Sequence, residues 1–334
     1  MATATRRVAG VRESAAYARA ASLLQRQGVL VALALLILFG AVRYDNFLSP
    51  YNIGSVLRYN SMFGLIALGM TFIIMTGGID LSVGAVAALG SVVAALLSPY
   101  GPILALVGAV AVCLVVGLIN GVIISKFNIL PFIVTLAMLL AARGVALLLA
   151  NNTTVGVDTT SGFSYIGQGD FLGLPVPAVI LAVAYIVGSV VLNFTRFGRH
   201  VLAVGGNEEA ARLMGLPVDR TKIVVYTLSG ALAGLAGVIL ASQFNAGQPT
   251  EGLGWELSTI AAVVVGGTLL TGGMGSVGTT LVGVLLLGLI FNILNFENGR
   301  GSISLSAYWQ SVIRGSFLLV VVLLQNQLTR RRGS

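Results

Sequence analysis

The stretch Gly77-Gly78-Ile79-Asp80-Leu81-Ser82-Val83-Gly84 places a carboxylate, a hydroxyl and three glycines between two apolar runs, 62–76 and 83–97. An ionisable side chain at bilayer depth is costly, so Asp80 has to face protein or a water-filled cavity. Gly77 and Gly78 weaken a helix there. Broken backbone at that depth is tolerated only where protein buries it or where it lines a cavity. Two readings fit these residues: a pivot or coupling point in a transporter, and a tight packing turn between hydrophobic helices. A related stretch, Gly272-Gly273-Met274-Gly275-Ser276-Val277-Gly278, recurs late in the chain.

Other reactive groups are sparse. Cys113 is the single cysteine and sits inside an apolar run, which excludes a disulfide within the chain and suits a small packing residue. His200 is also alone, so a histidine metal cluster is excluded. Within the apolar runs there are no paired acids and no nucleophile–base spacing, which argues against an intramembrane enzyme. A phosphate loop of the Gly-x-x-x-x-Gly-Lys-Ser/Thr type is missing, so the chain is not expected to bind ATP itself.

The elements that must position these groups are membrane helices. Charged residues make up 9% of the chain and hydrophobic ones 57%, against about a quarter charged in soluble domains. Apolar runs near 20 residues predict an all-α polytopic membrane protein. Ten spans are expected, at 28–43, 59–77, 79–98, 103–125, 130–150, 174–194, 222–244, 256–271, 275–295 and 305–325. Residues 1–27 read as a retained cytoplasmic lead-in, residues 28–325 as the transmembrane domain, and residues 326–334 as a basic cytoplasmic tail. The formal charge of +8 does not point to nucleic acid, because the basic residues lie at membrane edges.

Orientation follows from Lys and Arg. With both termini in the cytoplasm, 14 of the 19 basic residues lie in cytoplasmic segments: Arg6, Arg7, Arg12, Arg19, Arg26, Lys126, Arg196, Arg199, Arg212, Arg220, Lys222, Arg330, Arg331 and Arg332. The outer segments 151–173 and 245–255 carry Asp158, Asp170 and Glu251 and no basic residue. The two glycine stretches align at an offset of 195 from Thr76 to Thr271 and 194 from Ser82 to Ser276. Five spans per half, an odd number, make this an inverted repeat of two five-helix halves, a frequent transporter architecture.

The long cytoplasmic loop, 195–222, holds a short helix. Asn207 is an N-cap, Glu208 and Glu209 occupy the first turn, and Ala210, Ala211, Arg212, Leu213 and Met214 propagate it. Gly215 ends it and Pro217 blocks a restart. Its apolar side, Ala210, Leu213 and Met214, suits docking into a partner's groove or resting on the headgroups.

These residues resemble a known family. Thr76 to Gly84 is similar to the signature of the ribose/galactose/arabinose-type ABC importer permeases, and Gly205 to Gly215 resembles their cytoplasmic coupling loop. Ser229-Gly230-Ala231-Leu232-Ala233-Gly234-Leu235-Ala236-Gly237 and the run Val264 to Gly273 are similar to two further segments of that family. The run Gly266 to Gly273 with Ile293-Leu294-Asn295-Phe296 looks closest to one of the paired permeases of galactofuranose importers. The resemblance covers roughly residues 50–325. It implies a type II importer permease in a bacterial inner membrane, working with a second permease subunit, identical or paralogous. It also implies a cytoplasmic ABC ATPase that carries the ATP and Mg, docked on Asn207, Glu208, Glu209, Ala210, Ala211, Leu213, Met214 and Gly215. A periplasmic sugar-binding protein would deliver the cargo. Gly77, Gly78, Asp80, Ser82 and Gly84 would be the signature; the second copy lacks an equivalent of Asp80. A path for a neutral sugar should be lined by amide and aromatic groups, for which Asn60, Phe63, Asn120, Gln243, Phe244, Asn245, Asn292 and Asn295 are candidates. The alternative function is an ion-coupled secondary transporter using Asp80.

Overall fold

The computed structural model describes residues 28–299, together with residues 309, 312, 313, 315, 316 and 319. The lead-in 1–27, the tail 326–334 and most of the expected span 305–325 lie outside the described residues.

The described chain is helical. Helix α1 is Gly28–Arg43. It is followed by α2 (Pro50–Met75), α3 (Val83–Leu97), α4 (Pro102–Lys126), α5 (Pro131–Leu149), the single turn α6 (Tyr165–Gln168) and α7 (Val176–Phe194). Then come α8 (Arg196–Gly206), α9 (Glu208–Leu213), α10 (Val218–Phe244), α11 (Trp255–Val265) and α12 (Val277–Gly299). Proline at the first or second helical position opens α2, α4, α5 and α7, where a missing N–H costs nothing. Ser49 caps α2 by accepting from the Asn52 N–H. Two antiparallel ribbons of two residues per strand complete the structure: β1 (Val155–Gly156) with β4 (Ala246–Gly247), and β2 (Asp170–Phe171) with β3 (Leu174–Pro175).

Among the described residues, seven helices are long and apolar enough to cross a membrane: α2, α3 with the turn after it, α4, α5, α7, α10 and α12. The expected span 256–271 is corrected. Helix α11 has 11 residues, about 16 Å at 1.5 Å per residue, half the hydrocarbon thickness. It stops because Gly266 packs against the backbone of Thr279 and Thr280, and Gly267 turns the chain at φ +90°. The expected span 28–43 is present as α1, a shorter apolar helix.

The helices sort into a centre and a rim. The most apolar windows of α2 and α3 are 78% buried and that of α10 is 61% buried, against 22% for α4 and α5. The outward faces of α4, α5 and α7 carry Val107, Leu140, Ile186 and similar residues, as lipid contact requires. Helices α4 and α10 run antiparallel, Lys126 lying beside Asp219 and Gly121 beside Ile223. Farther along, a Cβ on Gly117 would sit 3.0 Å from the Gly230 Cα, and one on Gly234 would sit 2.7 Å from the Cys113 Cβ. Lipid supplies no hydrophobic drive between helices, so close backbone approach through small residues holds such a pair. Cys113 belongs to this seam and is fully buried.

Residues 245–255 were expected outside the membrane. Instead they fold into the bundle. The Gln248 N–H donates to Ser91 Oγ at 3.1 Å. Gly252 packs on Gly84, and the Trp255 ring lies 4.6 Å from that of Phe63, midway along α2. Asn245 (φ +53°), Gly252 (+79°) and Gly254 (+77°) make the turns that the path requires.

Candidate functional site: a junction of three glycine turns

Three glycine-rich turns converge at one end of the bundle. The first closes α2. Gly77 adopts φ +79°, and Gly78 N donates back to the Ile73 carbonyl at 3.1 Å. The second lies between α11 and α12, where Gly272 (φ +86°) and Gly273 (+75°) reverse the chain and Leu269 N donates to the Met274 carbonyl. The third is Gly205-Gly206, the last turn of α8. The three meet backbone to backbone. Gly273 N donates to the Met75 carbonyl at 3.0 Å. A Cβ on Gly272 would lie 2.8 Å from the Gly205 carbonyl oxygen and 2.9 Å from Gly77 N. One on Gly205 would overlap the Met75 carbonyl oxygen. The two related stretches, about 195 residues apart in sequence, are therefore in contact, and the end of α8 is wedged against both.

Asp80 and Ser82 follow the first turn. Asp80 Oδ1 accepts from Ser82 N at 2.8 Å and from Ser82 Oγ at 2.6 Å. Asn120 Nδ2 on α4 donates to Ser82 Oγ at 3.1 Å. All three side chains are buried. Among the described residues no Lys or Arg comes within ion-pair distance of Asp80. Its charge is held by local hydrogen bonds, in a turn that starts α3 directly after Ser82. The second turn reproduces the start of the next helix, Ser276 preceding α12, and lacks the carboxylate. Thr71 Oγ1 and Thr280 Oγ1, 3.0 Å apart, add a cross-link between α2 and α12.

Directly beyond Gly206 the chain forms α9. Asn207 Oδ1 accepts from Ala210 N at 2.8 Å, and Gly215 ends the segment at φ +76°. Its seat on the protein is Ala211, fully buried beside the buried Val204 and Val218 and the partly buried Leu216. Leu213 and Met214 point away, 85% and 70% exposed. Five charges pin the helix to the ends of α4 and α10. Glu208 pairs with Lys222 at 2.6 Å, Arg212 with Glu208 at 3.4 Å and Asp219 at 3.2 Å, and Lys126 with Asp219 at 3.2 Å. Glu208 and Lys222 also line a cavity of about 310 Å³ with Thr76, Gly77, Gly78 and Tyr226. Helix α9 and the first glycine turn thus share a hollow wall. Helix α8, between α7 and α9, was missed in the sequence. The signal was there in Thr195, whose Oγ1 accepts from Gly198 N, and in the buried pair Val201 and Val204.

The candidate path residues do not form one group. Asn60 and Phe63 line a common narrow cleft with Thr259 and Gly288. Asn120 belongs to the Asp80 turn. Asn292 exchanges hydrogen bonds with Asn52 through both side-chain amides, at 3.2 and 2.8 Å. Asn245 Oδ1 accepts from Ser164 Oγ, and the carbonyl of Gln243 accepts from Gln168, both at the opposite end of α10. Phe244 is half exposed and Asn295 exposed. From the sequence, Arg143 is a candidate structural ion-pair partner of Glu256 and not a site residue. Its Nη1 donates to the carbonyls of Pro249 and Glu251 and holds the inward loop; Glu256 is not within ion-pair distance.

A bundle of membrane helices with interrupted segments, and a charged loop wedged between two of the interruptions, defines a multi-pass membrane transport protein. Residues 52–322 match the family described as branched-chain amino acid transport system / permease component, and the chain belongs to that family. It is 42% identical to the ribose import permease protein RbsC of Bacillus subtilis (strain 168) over 307 residues, covering 91% of this chain and 94% of that one. Over 309 residues it is 38% identical to RbsC of Escherichia coli (strain K12), with the same coverage. It is also 38% identical to the L-arabinose ABC transporter permease protein AraH of Azospirillum brasilense over 312 residues, 93% of this chain and 90% of that one. No solved structure matches.

Proposed function

We propose that this chain is the permease subunit of an ABC importer for a monosaccharide of the ribose or arabinose kind, in a bacterial inner membrane with both termini cytoplasmic. The relatives named for ribose and arabinose support the cargo class. The observation that carries the mechanism is the wedge of Gly205-Gly206 between the two glycine turns, with α9 directly attached. A cytoplasmic ATPase that binds ATP and Mg would take the exposed Leu213 and Met214 into a groove. Its movement would pass through Ala211 and the Glu208–Lys222 pair to α8 and both turns. A second permease subunit, identical or paralogous, would complete the path, and a periplasmic binding protein would load it. The candidate path residues are amides and aromatics, which suits a neutral sugar.

The test is ATP-driven uptake by the reconstituted complex, with ribose, arabinose and galactofuranose supplied in turn on the cognate binding protein. Galactofuranose is included because of the runs Gly266 to Gly273 and Ile293 to Phe296. Uptake that needs ATP and a loaded binding protein is expected. Uptake that follows an ion gradient without ATP would establish the secondary transporter and assign Asp80 to ion coupling instead.

A further inference from the structure

We propose that Arg143 is a positioning residue that holds the segment 248–254 folded into the bundle, and that this segment closes the path from the side opposite the glycine junction. The segment leaves α10 next to the β1–β4 ribbon, at the end remote from α9. It passes Ser91 and Gly84 of α3 and delivers Trp255 against Phe63. It has no regular structure between Gly247 and Trp255. Unwound backbone inside a membrane protein needs partners for its carbonyls. Those of Pro249 and Glu251 both take theirs from one guanidinium, that of Arg143 on α5.

The alternative use of this arginine is an ion pair with a carboxylate. Glu256 and Glu251 are close enough to act on it electrostatically, yet neither forms an ion pair within 4.0 Å among the described residues. Glu256 Oε1 instead accepts from the Gly254 N–H at 3.2 Å. The charge therefore acts on backbone, and Arg143 Nε remains buried with no partner. A structural ion pair would be satisfied without the loop; this arrangement is satisfied only while the loop stays in. Gly252 and Gly254, both at positive φ, give the loop backbone freedom to leave. Opening it would withdraw Trp255 from Phe63, a candidate path residue, and uncover the cleft beside Asn60.

The chain offers a direct readout, because its one cysteine, Cys113, is fully buried. Pro249 is also buried. The experiment uses the full complex in lipid vesicles and a membrane-impermeant maleimide applied on the binding-protein side. Labelling rates are compared for Pro249→Cys alone and for Pro249→Cys combined with Arg143→Gln or Arg143→Lys. Leu172→Cys, at a position 89% exposed, reports reagent access. We expect slow labelling of Pro249→Cys alone and a rise of about tenfold or more with Arg143→Gln, the scale set by losing one charge-assisted hydrogen bond. An intermediate rate is expected with Arg143→Lys, which keeps the charge on a shorter stem. ATP hydrolysis without loaded binding protein should rise in the same order. Equal labelling rates in all three proteins would overturn the proposal. So would failure of both Arg143 variants to insert and assemble, which would make Arg143 a folding residue only. The mechanism rests on the transport reading above, whereas the labelling does not depend on the cargo. Absence of sugar uptake by the parent complex would count against the sugar and leave the clamp intact.

Discussion

At the scale of single residues, Asp80 and Leu213 separate the two tasks of the site. Asp80 is buried and committed to Ser82, so its place is inside the turn that restarts the chain as α3. In Asp80→Asn the amide keeps one acceptor for Ser82 and loses the charge, weakening a bond of about 1.5–3 kcal/mol. The variant should insert and assemble at parental levels yet import poorly. Full uptake would reduce Asp80 to packing. Leu213 touches nothing that holds the fold, being 85% exposed on a helix seated through Ala211. Leu213→Asp should therefore leave expression unchanged while less ATPase is retained on the purified permease and stimulation of hydrolysis by loaded binding protein is lost. Wild-type retention and stimulation would remove α9 from the coupling path. Gly215→Val is the backbone counterpart. A Cβ added there meets nothing within 4 Å beyond its chain neighbours, so the cost is the left-handed φ, about 1–2 kcal/mol. That is enough to misdirect α9 and far too little to unfold the bundle.

At the scale of elements, close backbone contact has two different consequences. In the seam between α4 and α10 it is packing. A Cβ on Gly230 would collide with the Cys113 carbonyl, and overpacking of this kind costs about 1–3 kcal/mol. Gly230→Val should thus lower the yield and the melting temperature of the detergent-solubilised protein. At the junction of the three turns the contact joins α8 to two helix breaks at the surface end of the bundle. Gly205→Val meets the Met75 carbonyl and the Gly273 amide there. The overlap there is the closer one, so Gly205→Val should lower the melting temperature at least as much as Gly230→Val, and unlike Gly230→Val it should also uncouple ATP hydrolysis from uptake. If both variants behave alike in coupling, the junction is another packing seam.

At the scale of the whole molecule, the two ends of the bundle differ in charge and construction. One end carries Lys126, Arg196, Arg199, Arg212, Arg220 and Lys222 with α8, α9 and the glycine turns. The other carries the short ribbons, Asp158 and Asp170. Arg58, in the first half of α2, lies towards this acidic end and pairs with Asp170 at 2.7 Å. Basic residues stay cytoplasmic, so reporters fused at Thr160 and Ser334 should fall on opposite sides of the membrane. The same side for both would invalidate the proposed orientation.

The sequence by itself determined that this is a helical membrane protein, because 57% hydrophobic and 9% charged residues leave no soluble alternative. It located α3, α4, α5, α7 and α10 to within a few residues, since apolar runs bounded by Pro, Gly or charge are local signals. It also supplied the importer-permease family, at the level the comparisons show, through short stretches such as Thr76 to Gly84. Other features needed the tertiary structure. Helix α11 is as apolar as a span; it ends at Val265, where Gly266 meets the backbone of α12 and Gly267 turns the chain at φ +90°. The loop 245–255 looks like any polar outer connection until Arg143, more than 100 residues away, reaches its carbonyls. The contact between the two glycine turns and Gly205 is invisible in composition or periodicity, because glycine carries no side chain to advertise a partner. Hydropathy reports whether a segment prefers lipid or water. Which backbone segments touch inside the bundle is settled by shape and by the need to satisfy buried carbonyls, and both are properties of the assembled helices.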